Sequence, residues 1–293
     1  MKSHILCFFL FISFSSSSQT ISKWFNNETI DCTVLLEKEV AGQFVPHGTG
    51  FLIEPYKSKD PIIVTCDHVL KNANIYMTFE VNESFRNRVR SLPKLIQQNI
   101  LKILNTDGYE CLWNVNENFL RIRVPLKKDS SLFVHPSGLD IAAFKSGIPG
   151  TMTFKDSTFK IINAKTIGKS RISLRQNVLI GDDVYFIGFP FGIGTPEIIP
   201  NQQFYSTSVP RHGLRKGVVS WISSDYDEFL LDALSFGGNS GSPVFQINYE
   251  DQKPPHYLIG IIVGHLGDST GNFGLARCLS ISEINKVIQL ADK

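Results

Sequence analysis

Absences narrow this 293-residue sequence before its motifs do. It contains no Cys-x-x-Cys pair and no close cluster of Cys and His, so no familiar zinc spacing is present. Cys66 stands two residues before His68, but such a pair alone does not define a ligand set. No dense run of Lys or Arg occurs and the formal charge is only +2, which argues against nucleic acid or an anionic membrane as the main partner. The apolar run Ile5 to Phe14 falls well short of the roughly 20 residues that a membrane-spanning helix needs, so no stable membrane anchor is expected. With 42% hydrophobic and 19% charged residues, the chain suits a soluble globular protein. Its length allows one large or two ordinary domains with a substantial core.

The N-terminus has the layout of a secretory signal. Lys2 gives a positive start, Ile5 to Phe14 forms the apolar core and Ser15–Ser18 supply small residues, predicting a signal peptide over 1–18 and a secreted or periplasmic protein. Removal of Cys7 with that segment leaves Cys32, Cys66, Cys111 and Cys278. An even number in an exported chain permits disulfide bonds, with three connectivities open, beside the simpler reading of buried thiols. Asn27-Glu-Thr and Asn82-Glu-Ser match the glycosylation acceptor pattern.

Past the signal, short β-branched stretches separated by Gly and Pro follow one another: "TVLLEKEV", "GTGFLIE", "PIIVTCDHV", "DIAAFK", "NVLIGDDVYFIGFP", "GVVSWI" and "HYLIGIIVGHL". The pattern predicts an all-β sandwich or barrels. Residues 83–133 interrupt it. There Leu95, Ile96, Ile100, Leu101 and Leu104 share one helical face after a break at Pro93, predicting a partly helical insertion that covers a sheet edge. At the other end Ile281, Ile284, Val287 and Ile288 predict a C-terminal helix capped by Ser282.

The stretch "SFGGNSGSPVF" at 235–245 sets Asn239 and Ser240 among Gly237, Gly238 and Gly241. Such a sequence bends sharply, and Ser240 is either a turn residue or a hydroxyl held out for reaction. A nucleophilic Ser needs a base, a group that orients the base, and donors for the oxyanion. His68 closes an apolar strand, and Asp140 opens one at a point where its carboxylate can be buried. The chain order His68, Asp140, Ser240 is that of the serine-protease template on two β-barrels. An α/β-hydrolase runs Ser, acid, His and carries Gly-x-Ser-x-Gly, whereas Ser242 occupies the last glycine position here.

Together, "GTGFLIE…IVTCDHVL", "LDIAAFK", "GDDVYFIGFPFG", "KGVVSWI" and "LDALSFGGNSGSPVF" resemble the trypsin-like serine peptidases of the HtrA/Deg and glutamyl-endopeptidase type, in register from about 48 to 290 apart from the insertion. The resemblance implies two six-stranded antiparallel β-barrels, over 25–165 with His68 and Asp140 and over 170–293 with Ser240. It also implies an oxyanion hole from the Gly238 and Ser240 amides, polypeptide substrates, and no metal or organic cofactor. Leu234 and Ile262 fall at positions that shape the primary pocket in this family, predicting an uncharged preference. Asn239 stands where digestive enzymes have an Asp that captures a freed N-terminus, and Cys66-Asp67 replace the small Ala-type residues usual before the histidine. With no tail after residue 293 for the peptide-binding domain that Deg proteases usually carry, a Deg-style oligomeric chaperone role is not expected. The expected function is therefore an exported serine endopeptidase, with a catalytically silent binding protein on the same fold as the alternative.

Overall fold

The structure, a computed structural model, describes residues 27–57, 60–71, 74–104, 110–124, 132–146, 151–154, 157–172, 178–190, 212–247, 256–268 and 271–293. The expected signal peptide and Cys7 lie outside the described residues. Among the described residues no helix is long and apolar enough to cross a membrane.

The strands of the first half are β1 (Thr33–Val40), β2 (Gln43–Ile53), β3 (Ile62–Thr65), β4 (Ile75–Glu80), β5 (Cys111–Leu112), β6 (Phe119–Arg123), β7 (Leu132–Val134) and β8 (Ala142–Lys145). A hairpin of β9 (Thr151–Phe154) and β10 (Ser157–Lys160) follows. The second half holds β11 (Asp183–Gly188), β12 (Gly213–Ile222), β13 (Glu228–Asp232), β14 (Pro243–Ile247), β15 (His256–Asp268) and β16 (Gly271–Ser280). Helices are few: α1 (Asn27–Ile30), α2 (Asp67–Leu70), α3 (Glu83–Arg90), α4 (Lys94–Leu104) and α5 (Ile281–Ala291).

The protein is mainly β, as expected, and β11 to β16 close into a six-stranded barrel. Among the described residues the first half is a half-barrel with more strands than six. Its described strands form an eight-stranded sheet in the order β5-β6-β4-β1-β2-β3-β8-β7. The insertion explains part of the difference, because β6 pairs with β4 and extends that edge. It is sewn in by Arg121, whose Nε lies 2.7 Å from the Oε2 of buried Glu37, and Thr78 donates its hydroxyl to the same carboxylate. A buried carboxylate without such partners would cost several kcal/mol. The predicted helical face divides: Ile100 and Leu104 are buried, whereas Leu95 and Ile96 face solvent. Asn82 caps α3 by accepting from the Ser84 and Phe85 amides and donates to Asn163, so this candidate glycosylation side chain is already committed to the fold.

Period-two alternation on the barrel strands makes two cores. Val184 and Phe186 of β11 point into the barrel with Phe229, Leu231, Val244 and Ile262. Their neighbours Tyr185 and Ile187 point out and join Phe51, Ile63 and Phe144 of the first sheet. The barrel's outer face is thus the first sheet's roof, each such apolar side chain contributing about 1.5–3 kcal/mol on burial. Helix α5 buries Ile281, Ile284, Val287 and Ile288 in that shared core. Its N-cap is Ser280 rather than Ser282.

Among the described residues none of the four cysteines is joined by a disulfide bond, which corrects the disulfide expectation. Three of them are committed elsewhere as donors: Cys32 to the Thr29 carbonyl at 2.9 Å, Cys66 to Ile262 at 3.2 Å and Cys111 to Leu104 at 2.9 Å.

A titratable weak point lies where α1 meets the barrel. His256 is buried with its Nδ1 3.0 Å from the Thr29 hydroxyl, and burial, helped by the Arg171 charge, lowers its pKa to about 4. A folded-state pKa below the unfolded value means that the unfolded chain binds the extra proton, so stability falls as pH drops through the window from about 6.5 to 4. The expected slope from this residue is up to about 1.4 kcal/mol per pH unit. Thermal midpoints of wild type and His256→Gln across that window check it, and the variant should show the shallower dependence. Equal slopes would assign the acid sensitivity to other groups.

Candidate functional site

Strand pairing brings His68 and Asp140 together. β3 and β8 run antiparallel with Thr65 opposite Ala142, so the chain leaving β3 and the chain entering β8 share one end of the sheet. Cys66 continues extended, and α2 then turns His68 back toward that end. The Asp140 Oδ1 accepts from the His68 backbone amide at 2.9 Å, and its Oδ2 lies 2.5 Å from His68 Nδ1. This double contact fixes the ring's position and leaves Nε2 as its other face. The carboxylate is less enclosed than the sequence suggested, with 31% of the Asp140 side chain and 47% of the His68 side chain exposed. Upstream, the turn before Asp140 is pinned to α5 by buried His135, whose Nε2 lies 2.9 Å from Glu283 Oε2.

Ser240 lies in the turn between β13 and β14. Its carbonyl accepts from the Thr49 amide at 2.8 Å, while the Gly241 amide donates to the Ile262 carbonyl at 2.8 Å. The Cys66 thiol donates to that same Ile262 carbonyl, so one oxygen ties the approach to His68 to the residue after Ser240. Gly48 fits between the two segments, since a β-carbon there would sit 2.7 Å from Val69 and 3.3 Å from the Ser240 carbonyl. Among the described residues no hydrogen bond joins His68 Nε2 to the Ser240 hydroxyl. Catalytic contacts of this kind are commonly long in the unliganded state and tighten around substrate.

Gly238 has φ +90° and its carbonyl accepts from the Thr49 hydroxyl at 2.7 Å, which holds the oxygen inward. Neither the Gly238 nor the Ser240 amide donates a hydrogen bond among the described contacts. Uncommitted N–H groups are what a developing oxyanion requires. Asn239 beside them is fully buried, and among the described residues its side-chain amide atoms and the Ser242 hydroxyl have no hydrogen-bond partner. These groups crowd Gly188, where a β-carbon would come within 3.0 Å of Asn239 Oδ1.

The expected pocket residues differ in access. Leu234 is 50% exposed and lies beside Gly274. Ile262 packs wholly inside the barrel core, where strand alternation on β15 places it. His265 is exposed on the same strand. Sequence reasoning missed Thr49, which sits in "GTGF" and reads there only as a strand residue. Its hydroxyl also accepts from the Phe189 amide at 3.0 Å, joining the two halves behind the serine turn.

Gly241 is the tightest point. Its φ is +90°, and a β-carbon would stand 1.8 Å from the Thr49 carbonyl oxygen and 2.6 Å from the Thr65 hydroxyl. Gly241→Ala is expected to lose at least about 3 kcal/mol of stability, from backbone strain plus a clash against fixed main chain. A chemical-denaturation midpoint measures it; a wild-type midpoint would show that the turn can relax.

A family model described as a trypsin-like peptidase domain matches residues 48–251. Among solved structures, an HtrA-type protease, AlgW, with a tripeptide aligns at 16% identity and TM-score 0.46, over 91% of this chain and 62% of that one. The same protease with a decapeptide aligns at 15% identity and TM-score 0.48, over 90% and 65%. A structure of GrC aligns at 14% identity and TM-score 0.49, over 92% and 97%. The chain thus spans less than two thirds of the AlgW chains. No curated protein matches it.

Proposed function

The chain belongs to the trypsin-like peptidase family, and from that premise we propose that it is an exported serine endopeptidase acting through Ser240, His68 and Asp140. The observation that carries the reading is the His68–Asp140 pair, with Nδ1 2.5 Å from the carboxylate and Nε2 left as the base. In the first step His68 Nε2 takes the proton of the Ser240 hydroxyl as its oxygen bonds to the scissile carbonyl carbon. The carbonyl electrons move onto oxygen, where the Gly238 and Ser240 amides receive them. Collapse breaks the C–N bond, and His68 returns the proton to the leaving amine. Water then repeats the sequence on the acyl-enzyme. Asp140 holds the Nδ1 tautomer throughout and stabilises the imidazolium.

The primary pocket takes an uncharged side chain, supported by half-exposed Leu234 and by Gly264, beside which a β-carbon would meet nothing within 4 Å. Export rests on the N-terminal pattern of Lys2 and the apolar run that follows. The silent-binder reading draws on the missing bond between Nε2 and the Ser240 hydroxyl. A fluorophosphonate probe, with mass spectrometry of peptides released from a denatured proteome, decides between them. Labelling with cleavage after uncharged residues is expected; an unlabelled, folded protein would favour the binder.

A further inference from the structure

We propose that Cys66, His68 and Asp140 form an inhibitory site for a thiophilic divalent cation of the zinc class. Among the described residues these side chains bring one sulfur, one ring nitrogen and one carboxylate oxygen within 4.8 Å of one another. Thiolate, imidazole and carboxylate are the zinc donor types, bound at about 2.3, 2.0–2.1 and 2.0–2.2 Å. Tetrahedral bonds of that length set ligand atoms roughly 3–4 Å apart, so the cluster closes with side-chain movement of ångström scale. Entry is from the cleft, where His68 and Asp140 are partly exposed, while Cys66 forms the floor at 0% exposure. The trypsin-like resemblance implies a small Ala-type residue at this position; here the chain presents a sulfur directly beneath the His68–Asp140 pair.

Binding is an exchange without redox chemistry. The Cys66 S–H proton goes to solvent, the thiol's hydrogen bond to the Ile262 carbonyl breaks, and three coordinate bonds form. Thiolate and carboxylate together neutralise the dication. A metal at His68 Nδ1 forces the ring proton onto Nε2, and a metal at Nε2 occupies the lone pair itself. Either way the imidazole cannot take the Ser240 proton. Hard cations such as Ca²⁺ prefer all-oxygen sites and are not held.

Inhibition, though not binding, rests on the peptidase reading, so the test measures both. The reduced full-length protein is titrated with ZnCl2 in a peptide-cleavage assay and, separately, with CoCl2 while thiolate-to-cobalt absorption is recorded. One equivalent of Co²⁺ should give the thiolate band, and Zn²⁺ should stop cleavage reversibly on EDTA addition, with Ca²⁺ inert. In Cys66→Ser and Cys66→Ala the band should vanish, and half-inhibition relative to each variant's own zinc-free rate should need at least about tenfold more Zn²⁺. Serine keeps a donor to Ile262, which guards against a folding defect. No thiolate band in wild type, or equal zinc sensitivity in both variants, overturns the site. Binding without metal-free cleavage would instead overturn the peptidase reading.

Discussion

Ser240→Ala should reduce peptide hydrolysis by about 10⁴- to 10⁶-fold, equivalent to roughly 5–8 kcal/mol of transition-state stabilisation. The alcohol oxygen is the atom that bonds to the substrate carbon, and alanine has no such atom. The structural cost should be small, because the Ser240 contact that holds the turn is its backbone carbonyl, bonded to the Thr49 amide. Its hydroxyl makes no hydrogen bond among the described contacts. Purified variant and wild type should therefore unfold within about 1 kcal/mol of each other, while the variant loses both probe labelling and turnover. A variant that still cleaves peptides within tenfold of the wild-type rate would remove Ser240 from the mechanism.

Asp140→Asn should lower kcat by about 10⁴-fold with little change in KM. The carboxylate now accepts from two donors, the His68 backbone amide and Nδ1–H. An amide has one oxygen and one NH₂. If its oxygen keeps the backbone bond, its NH₂ faces Nδ1, which must then accept and carry no proton. The ring proton moves to Nε2, and the base facing Ser240 becomes a donor. Geometry survives while the proton inventory is wrong. Steady-state kinetics with a peptide substrate tests this, and a loss under tenfold would show that Asp140 serves the loop rather than the imidazole.

Both variants act through contacts whose participants the sequence named and whose arrangement it did not. Glycines around "GGNSGS" announce a tight turn, because positive φ at Gly238 and Gly241 excludes ordinary side chains. The strand-end setting of His68 and the strand-start setting of Asp140 were legible from apolar runs on one side of each. Thr49 was not, since a threonine in a strand looks alike whether its hydroxyl meets water or locks a carbonyl of the opposite half. Nor was the fate of Ile262: "LIGIIVGHL" is apolar at nearly every position, so the alternation that sends Ile262 into the barrel core appears only once the strand is paired. The insertion was legible only in its helical part. Its helical periodicity was strong, while β5 and β6 are too short to declare themselves.

Local chemistry, then, was written in the chain itself: many short strands, a glycine-framed serine, a histidine and an aspartate in the protease order, and a terminal amphipathic helix. These follow from residue volume, backbone freedom and periodicity, which act over a few neighbours. The tertiary structure decided what depends on long-range pairing. Among the described residues it made the first sheet a half-barrel, formed no disulfide between the four thiols, buried Ile262, and set the Cys66 sulfur beside the His68–Asp140 pair. Strand register and the closing of loops far apart in sequence are settled by packing of the whole, and no short window of residues contains that information.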